Sequence, residues 1–107
     1  MSNTCIFCKI IAKEIPSAII AETDDILVVK DINPKAPIHY LIIPKKHIID
    51  CAHLESNDGI LAGNLLLMAK QLATQLSGSQ AFQLVVNNGA AAGQIIFHLH
   101  IHFLAGI

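Results

Sequence analysis

The stretch Phe97-His98-Leu99-His100-Ile101-His102-Phe103-Leu104 alternates apolar and imidazole side chains without interruption. Alternation of period two is the signature of a half-buried strand, because successive side chains leave a strand on opposite faces. Leu99, Ile101 and Phe103 are expected on the core face, and His98, His100 and His102 on the other. At about 3.3 Å of rise per residue, neighbouring histidines on that face lie roughly 6.6 Å apart, close enough for one ligand group to meet two of them. Histidine is the side chain that exchanges protons and binds metals near neutral pH, so three on one face predict a site.

Working outward, the rest of the chain supplies partners for this strand. Ala81 to Val86 reads as the strand before it, joined by Asn87-Asn88-Gly89 and a small-residue loop reaching Gly93. Ile19 to Glu22 and Ile26 to Asp31 form a predicted hairpin about Thr23-Asp24-Asp25. His39 to Ile43 gives a further strand ending at Pro44. A long helix carries the stripe Leu61, Leu65, Met68, Leu72 and Leu76, with Ser56 or Asn57 as N-cap and Gly78 as stop. A short helix over Phe7 to Lys13 precedes Pro16. The order predicts one α+β domain over residues 1–107: a five-stranded antiparallel sheet with a short N-terminal helix, and a longer helix covering one face.

Composition narrows the function. The 107 residues are 53% hydrophobic and carry a net charge of −1, without basic or acidic blocks. Duplex nucleic acid and anionic membrane surfaces are therefore not expected partners. Mean hydropathy is +0.56, yet no apolar run reaches the ~18 residues of a membrane span. The apolar excess belongs to a core or a subunit interface. Met1 to Thr4 offers no basic segment or apolar core of a signal, so a cytoplasmic location is expected. All seven basic residues are lysines, so any phosphate must be met by histidine, lysine or backbone N–H groups.

Three cysteines, Cys5, Cys8 and Cys51, do not make a disulfide framework. The pair Cys5-Ile6-Phe7-Cys8 has the spacing of a metal knuckle, and no βαβ unit precedes it to favour a redox role. Buried small apolar residues are the alternative reading of the same pair.

The sequence His98-Leu99-His100-Ile101-His102-Phe103-Leu104 resembles the motif of the histidine triad family of nucleotide hydrolases and transferases, His-φ-His-φ-His-φ-φ with φ apolar. The similarity extends to Ile6-Phe7-Cys8-Lys9-Ile10-Ile11, to Asp31-Ile32 with Pro34 and Ala36-Pro37, to His39 through His47, to Val85-Val86-Asn87 and to Gly93-Gln94. The branch it most resembles is the small purine nucleoside phosphoramidases, which implies a homodimer. By this resemblance His100 is the nucleophile toward an α-phosphorus, His102 contacts the phosphate, and His98 and His39 complete the catalytic group. Asp31 would hold ribose hydroxyls, while Ile6, Phe7, Ile10 and Ile32 would line a purine pocket. Asn87, Gly93 and Gln94 would lie along the phosphates.

The resemblance also implies a structural zinc held by Cys5, Cys8, His47 and His98, a closed set of two thiolates and two imidazoles. Cys51 and His53 have no partner at motif spacing and are read as structural or surface residues. Ile95 departs from the hydroxyl or other polar residue common in this branch and bears on the leaving group. Three other functions stay open: a dinucleoside polyphosphate hydrolase, a nucleotide-binding module with little turnover, and a metal hydrolase in which His100, His102 and His39 hold a catalytic metal.

Overall fold

The computed structural model describes residues 4–106. Five strands form one antiparallel sheet: β1 (Ile19–Glu22), β2 (Ile26–Lys30), β3 (Ile38–Pro44), β4 (Phe82–Val85) and β5 (Ile101–Ala105), in the order β1-β2-β3-β5-β4. Helix α1 spans Ile6–Ile11 and helix α2 spans Gly59–Ala73. This is the expected α+β architecture.

Both faces of the sheet are covered, where one covered face was expected. Ile26, Val28, Ile42, Ile101 and Phe103 pack with Leu65, Met68 and Leu72 of α2. Leu27, Val29, Leu41 and Ile43 pack instead with Phe7 and Ile10 of α1. The cause is written in β2, whose residues Ile26 to Val29 are all buried, so neither parity of the strand can face water. Short as it is, α1 supplies the second cover through two buried side chains, with Ile11 packed beside them.

The last strand is shorter at its start than the alternation predicts. Pairing with β3 runs from Ile38 opposite Ala105 to Ile42 opposite Ile101 and stops there. Beyond it the Leu99 N–H donates to the Ile48 carbonyl at 2.6 Å, so residues 97–100 leave the ladder for the segment after β3. Side-chain alternation survives the departure: Leu99, Ile101 and Phe103 are buried against α2, and the three histidines keep to the opposite face.

Helix boundaries shift for local reasons. A 3₁₀ turn over Ser56–Asp58 leads into α2, and Asp58, rather than Ser56 or Asn57, is the N-cap; Glu55 and Asp58 cap one another reciprocally before it. α2 closes at Ala73, before Gly78, while Leu76 still packs against the core. α1 ends at Ile11 rather than Lys13, because Lys13 adopts a φ of 64° and breaks the helix ahead of Pro16.

Candidate functional site

The face carrying the histidines also carries Asp31, at the end of β2, and His39 on β3. Asp31 N–H donates to the His39 carbonyl at 3.0 Å, which ties the exit of β2 to the start of β3. Leu41 lies opposite His102 in the register, so strand pairing alone brings residues separated by some sixty positions together.

Each ring of the triad is held differently. His98 is fully buried, and its Nε2 lies 2.7 Å from the Pro44 carbonyl. A carbonyl only accepts, so Nε2 carries the proton and Nδ1 keeps its lone pair. His100 Nδ1 lies 2.8 Å from the His98 carbonyl, which by the same reasoning puts the proton on Nδ1 and leaves Nε2 of a neutral ring as a bare lone pair. His102 Nδ1 lies 2.8 Å from His39 Nε2, and the His100 and His102 ring centroids are 5.2 Å apart. Burial pushes all three imidazoles below their ordinary value; at His102 the neighbouring His100 and His39 add to that effect. The neutral form needed for nucleophilic attack is thereby favoured.

Phe7 reaches under this row. Its ring meets His100 edge-on at 5.0 Å and His98 at 5.8 Å, and only 3% of the residue is exposed. The four apolar residues expected to line a base pocket therefore divide. Phe7 and Ile10 are core residues packed against β2 and β3, whereas Ile6 is 42% and Ile32 is 90% exposed. Only the latter two present surface to a ligand.

Cys5, Cys8, His47 and His98 converge, each offering one ligand atom within 4.8 Å of the others. Cys5 Sγ and His98 Nδ1 are 3.3 Å apart, Cys8 Sγ and His47 Nδ1 3.3 Å, Cys8 Sγ and His98 Nδ1 3.6 Å, and the two Nδ1 atoms 3.1 Å. Metal–sulfur bonds of about 2.3 Å and metal–nitrogen bonds of about 2.0–2.1 Å in a tetrahedron require edges of roughly 3.3–3.8 Å, the longest between the two sulfurs. The donor set therefore fits a zinc-sized ion. The lone pair of His98 already faces the cluster, because Pro44 takes the other nitrogen. Desolvation, reinforced by the Cys5 sulfur, raises the Cys8 thiol to about 11, so paired thiolates here require a cation.

On the loop after β4, Gln94 is buried and its side chain organises the backbone. Its Oε1 accepts from the Gly89 N–H at 2.8 Å, and its Nε2 donates to the Ile49 and Ile96 carbonyls at 2.8 and 3.0 Å. Gly93, at φ +97°, lies in a region closed to most side chains, and a Cβ there would stand 3.9 Å from Asn87 Cγ. Asn87 is half-buried, while Ile95 is 86% exposed. Cys51 and His53 stand apart from these groups: both are exposed, and His53 pairs with Asp50 at 2.6 Å. A cavity of about 330 Å³ between the β1–β2 turn and α2, lined by residues such as Asp25, Asn64 and Leu67, includes none of the candidate residues.

Sequence reasoning did not find the backbone partners: the Pro44 and His98 carbonyls, the Lys35 amide that donates to His39 Nδ1 at 3.0 Å, and the Ile49 and Ile96 carbonyls under Gln94. No side-chain pattern signals a backbone atom. The contact of Phe7 with both His98 and His100 was likewise hidden, because the apolar residues of α1 read equally well as pocket wall.

A sheet of this order, with three alternating histidines running up to and into its fourth strand, defines a histidine triad protein. The family model described as HIT domain matches residues 12–107, and the chain belongs to that family. The match begins after α1, so Cys5 and Cys8 lie outside it. The chain is 49% identical over 106 residues to an uncharacterized HIT-like protein, slr1234, of Synechocystis sp., covering 99% of this chain and 93% of that one. It is 41% identical over 102 residues to Protein HitA of Neisseria gonorrhoeae, covering 95% of each. Among solved structures, a HIT family hydrolase from Legionella pneumophila superposes with a TM-score of 0.92 at 42% identity, covering 97% of this chain and 94% of that one. A HIT family hydrolase from Clostridium thermocellum gives 0.94 at 40% identity, covering 100% and 94%.

Proposed function

We propose that this protein is a nucleotidyl hydrolase that cleaves purine nucleoside phosphoramidates or related conjugates at the α-phosphorus and releases a nucleoside monophosphate. The observation that carries the reading is the 2.8 Å contact of His100 Nδ1 with the His98 carbonyl: a carbonyl only accepts, so the proton of a neutral ring is on Nδ1 and Nε2 is an unprotonated nucleophile. The Nε2–phosphorus bond forms as the bond to the leaving group breaks. The departing amine takes a proton from solvent, and water then displaces the histidine and returns a proton to solvent, giving the monophosphate and restoring the neutral ring. The names of the Legionella and Clostridium relatives as hydrolases support the same reading.

The remaining residues take the roles the motif assigns. His102 and Asn87 meet the phosphate, together with N–H groups of the Gly93 loop, which Gln94 holds in shape; no arginine is present to share this task. Asp31 keeps one carboxylate oxygen for the Asn33 N–H at 2.7 Å and directs the other toward His39, from where it meets ribose hydroxyls. Ile6 and Ile32 flank the base. A structural zinc at Cys5, Cys8, His47 and His98 fixes the N-terminus against the triad.

We place the protein in the cytoplasm as a single-domain homodimer. The outward face of α2, with Ile60 84%, Leu66 60% and Leu67 59% exposed, is the apolar surface available to a twofold mate. No described helix is long and apolar enough to cross a membrane. The deciding experiment compares turnover of adenosine phosphoramidate and diadenosine polyphosphates by the purified protein. Faster release of AMP from the phosphoramidate is expected, and preference for the polyphosphate moves the assignment to that class of substrate. Absence of turnover with both, alongside tight nucleotide binding, identifies a binding module.

A further inference from the structure

The groups around His102 form a chain of hydrogen bonds with a fixed direction. The Lys35 N–H donates to His39 Nδ1 at 3.0 Å. A nitrogen that accepts an N–H carries no proton of its own, so the proton of His39 is on Nε2. That nitrogen lies 2.8 Å from His102 Nδ1 and 3.3 Å from Asp31 Oδ2. Two protonated nitrogens do not face each other at 2.8 Å, so His102 Nδ1 is the acceptor and the proton of His102 is on Nε2, on the side of the ring away from His39.

We infer that the backbone amide of Lys35, acting through His39, sets the tautomer of His102 and makes it a neutral hydrogen-bond donor toward the phosphate. This positioning role rests on the nucleotidyl reading above and deepens it. Its origin in a backbone amide is significant. An amide N–H does not titrate, so the direction of the chain reverses only if the loop itself moves. The loop is anchored at two points, since Asn33 N–H holds Asp31 Oδ1 at 2.7 Å while Lys35 N–H holds His39. Pro34 between them has no N–H to offer, which leaves these two amides as the donors flanking it.

The consequence for chemistry is a complementary pair. His100 presents a lone pair at Nε2 and His102 presents an N–H at Nε2, with their ring centroids 5.2 Å apart. One attacks and the other donates. The same chain also decides the fate of a second convergence of donor atoms, Asp31, His39 and His102, which lie within 4.8 Å of one another. With its proton on Nε2, His39 has no lone pair to give a metal there, so the hydrogen-bonded chain occupies what would otherwise serve as a two-histidine, one-carboxylate site.

The test is the position of the ring protons, read from two- and three-bond ¹H–¹⁵N correlations on ¹⁵N-histidine-labelled, zinc-loaded protein. The parent is expected to show His39 and His102 both as Nε2–H tautomers. Lys35→Pro, which removes the donor, is expected to give mixed tautomers at both rings and to lower kcat on adenosine phosphoramidate by about tenfold or more, with KM little changed. Lys35→Ala, which keeps the amide, is expected to keep the parent's ring pattern. Should Lys35→Pro not fold, the parent spectrum still decides, and His39→Gln, whose amide can donate to His102, should retain more kcat than His39→Leu. A proton on Nδ1 of His102 in the parent, or an unchanged ring pattern in Lys35→Pro, overturns the inference. A parent with the expected tautomers that turns over no nucleotide conjugate removes the nucleotidyl reading and leaves the tautomer assignment standing.

Discussion

The carbonyl oxygen of His98 lies 2.8 Å from Nδ1 of His100, so the residue whose ring faces the thiols also supports, through its peptide, the ring two positions along. The proposed nucleophile and the Cys/His cluster are thus joined by a single residue. The two are nevertheless separable by substitution, because His100 contributes no atom to the set.

His100→Ala is expected to abolish turnover while nucleotide binding stays within about tenfold, or roughly 1.4 kcal/mol. Calorimetric binding of AMP beside a turnover assay measures both. Zinc retained in this variant identifies a nucleophile, whereas zinc lost with activity would make His100 a ligand.

For the Cys/His cluster, the purified protein should hold about one zinc per chain, with two sulfurs in its shell. Cys5→Ser and Cys8→Ser should each weaken the metal and lower the melting temperature, since metal binding at such a site is partly folding energy. Equal melting of parent and variants, with no metal found by elemental analysis, would leave the pair as buried thiols.

Acid should expose the Glu22 carboxylate. It accepts from Lys13 and Lys45, each at 2.8 Å, and these two bonds hold its pKa at about 2 against an ordinary 4.5. A depressed folded-state pKa gives stability that is present above about 4.5 and disappears as pH falls toward 2. Glu22→Gln should melt slightly lower than the parent at pH 6, the small size reflecting solvent screening of exposed pairs. The difference should shrink between pH 4.5 and 2; a constant gap across that window would contradict the ion-pair origin.

On the outward face of α2, Leu67→Glu places a charge among Ile60, Gly63 and Leu66. Sedimentation should show a dimer for the parent at micromolar concentration and a monomer for the variant. A monomeric parent would refute the homodimer, whereas a dimer for both would move the interface elsewhere, with the outer edge of β4 the next surface to alter.

Legibility in the sequence followed the physics of each feature. Alternation at 97–104 disclosed which side chains share a face, because period two survives even where the ladder does not. It did not disclose that the strand begins at Ile101, since that depends on whether Leu99 bonds to β3 or to Ile48, and both carbonyls look alike in a sequence. The thiol and imidazole set was legible once the triad resemblance placed His47 and His98 beside Cys5 and Cys8, and the structure brings these four together. The division of the apolar residues on α1 was not legible. Ile6 and Phe7 are equally apolar neighbours, and only the orientation of a six-residue helix decides which one turns to water.

The cluster joins residues 5 and 98, a separation of 93 positions in a chain of 107. An ion held there closes almost the entire polypeptide into one loop, acting on the unfolded ensemble as a reversible cross-link whose entropic effect grows with the logarithm of the span. Its ligands meet where β3 and the segment beside β5 come together, so the cluster adds contacts of very high sequence separation to the fold. A chain emerging from synthesis cannot assemble the full set before residue 98 is available, and His100 follows two residues later.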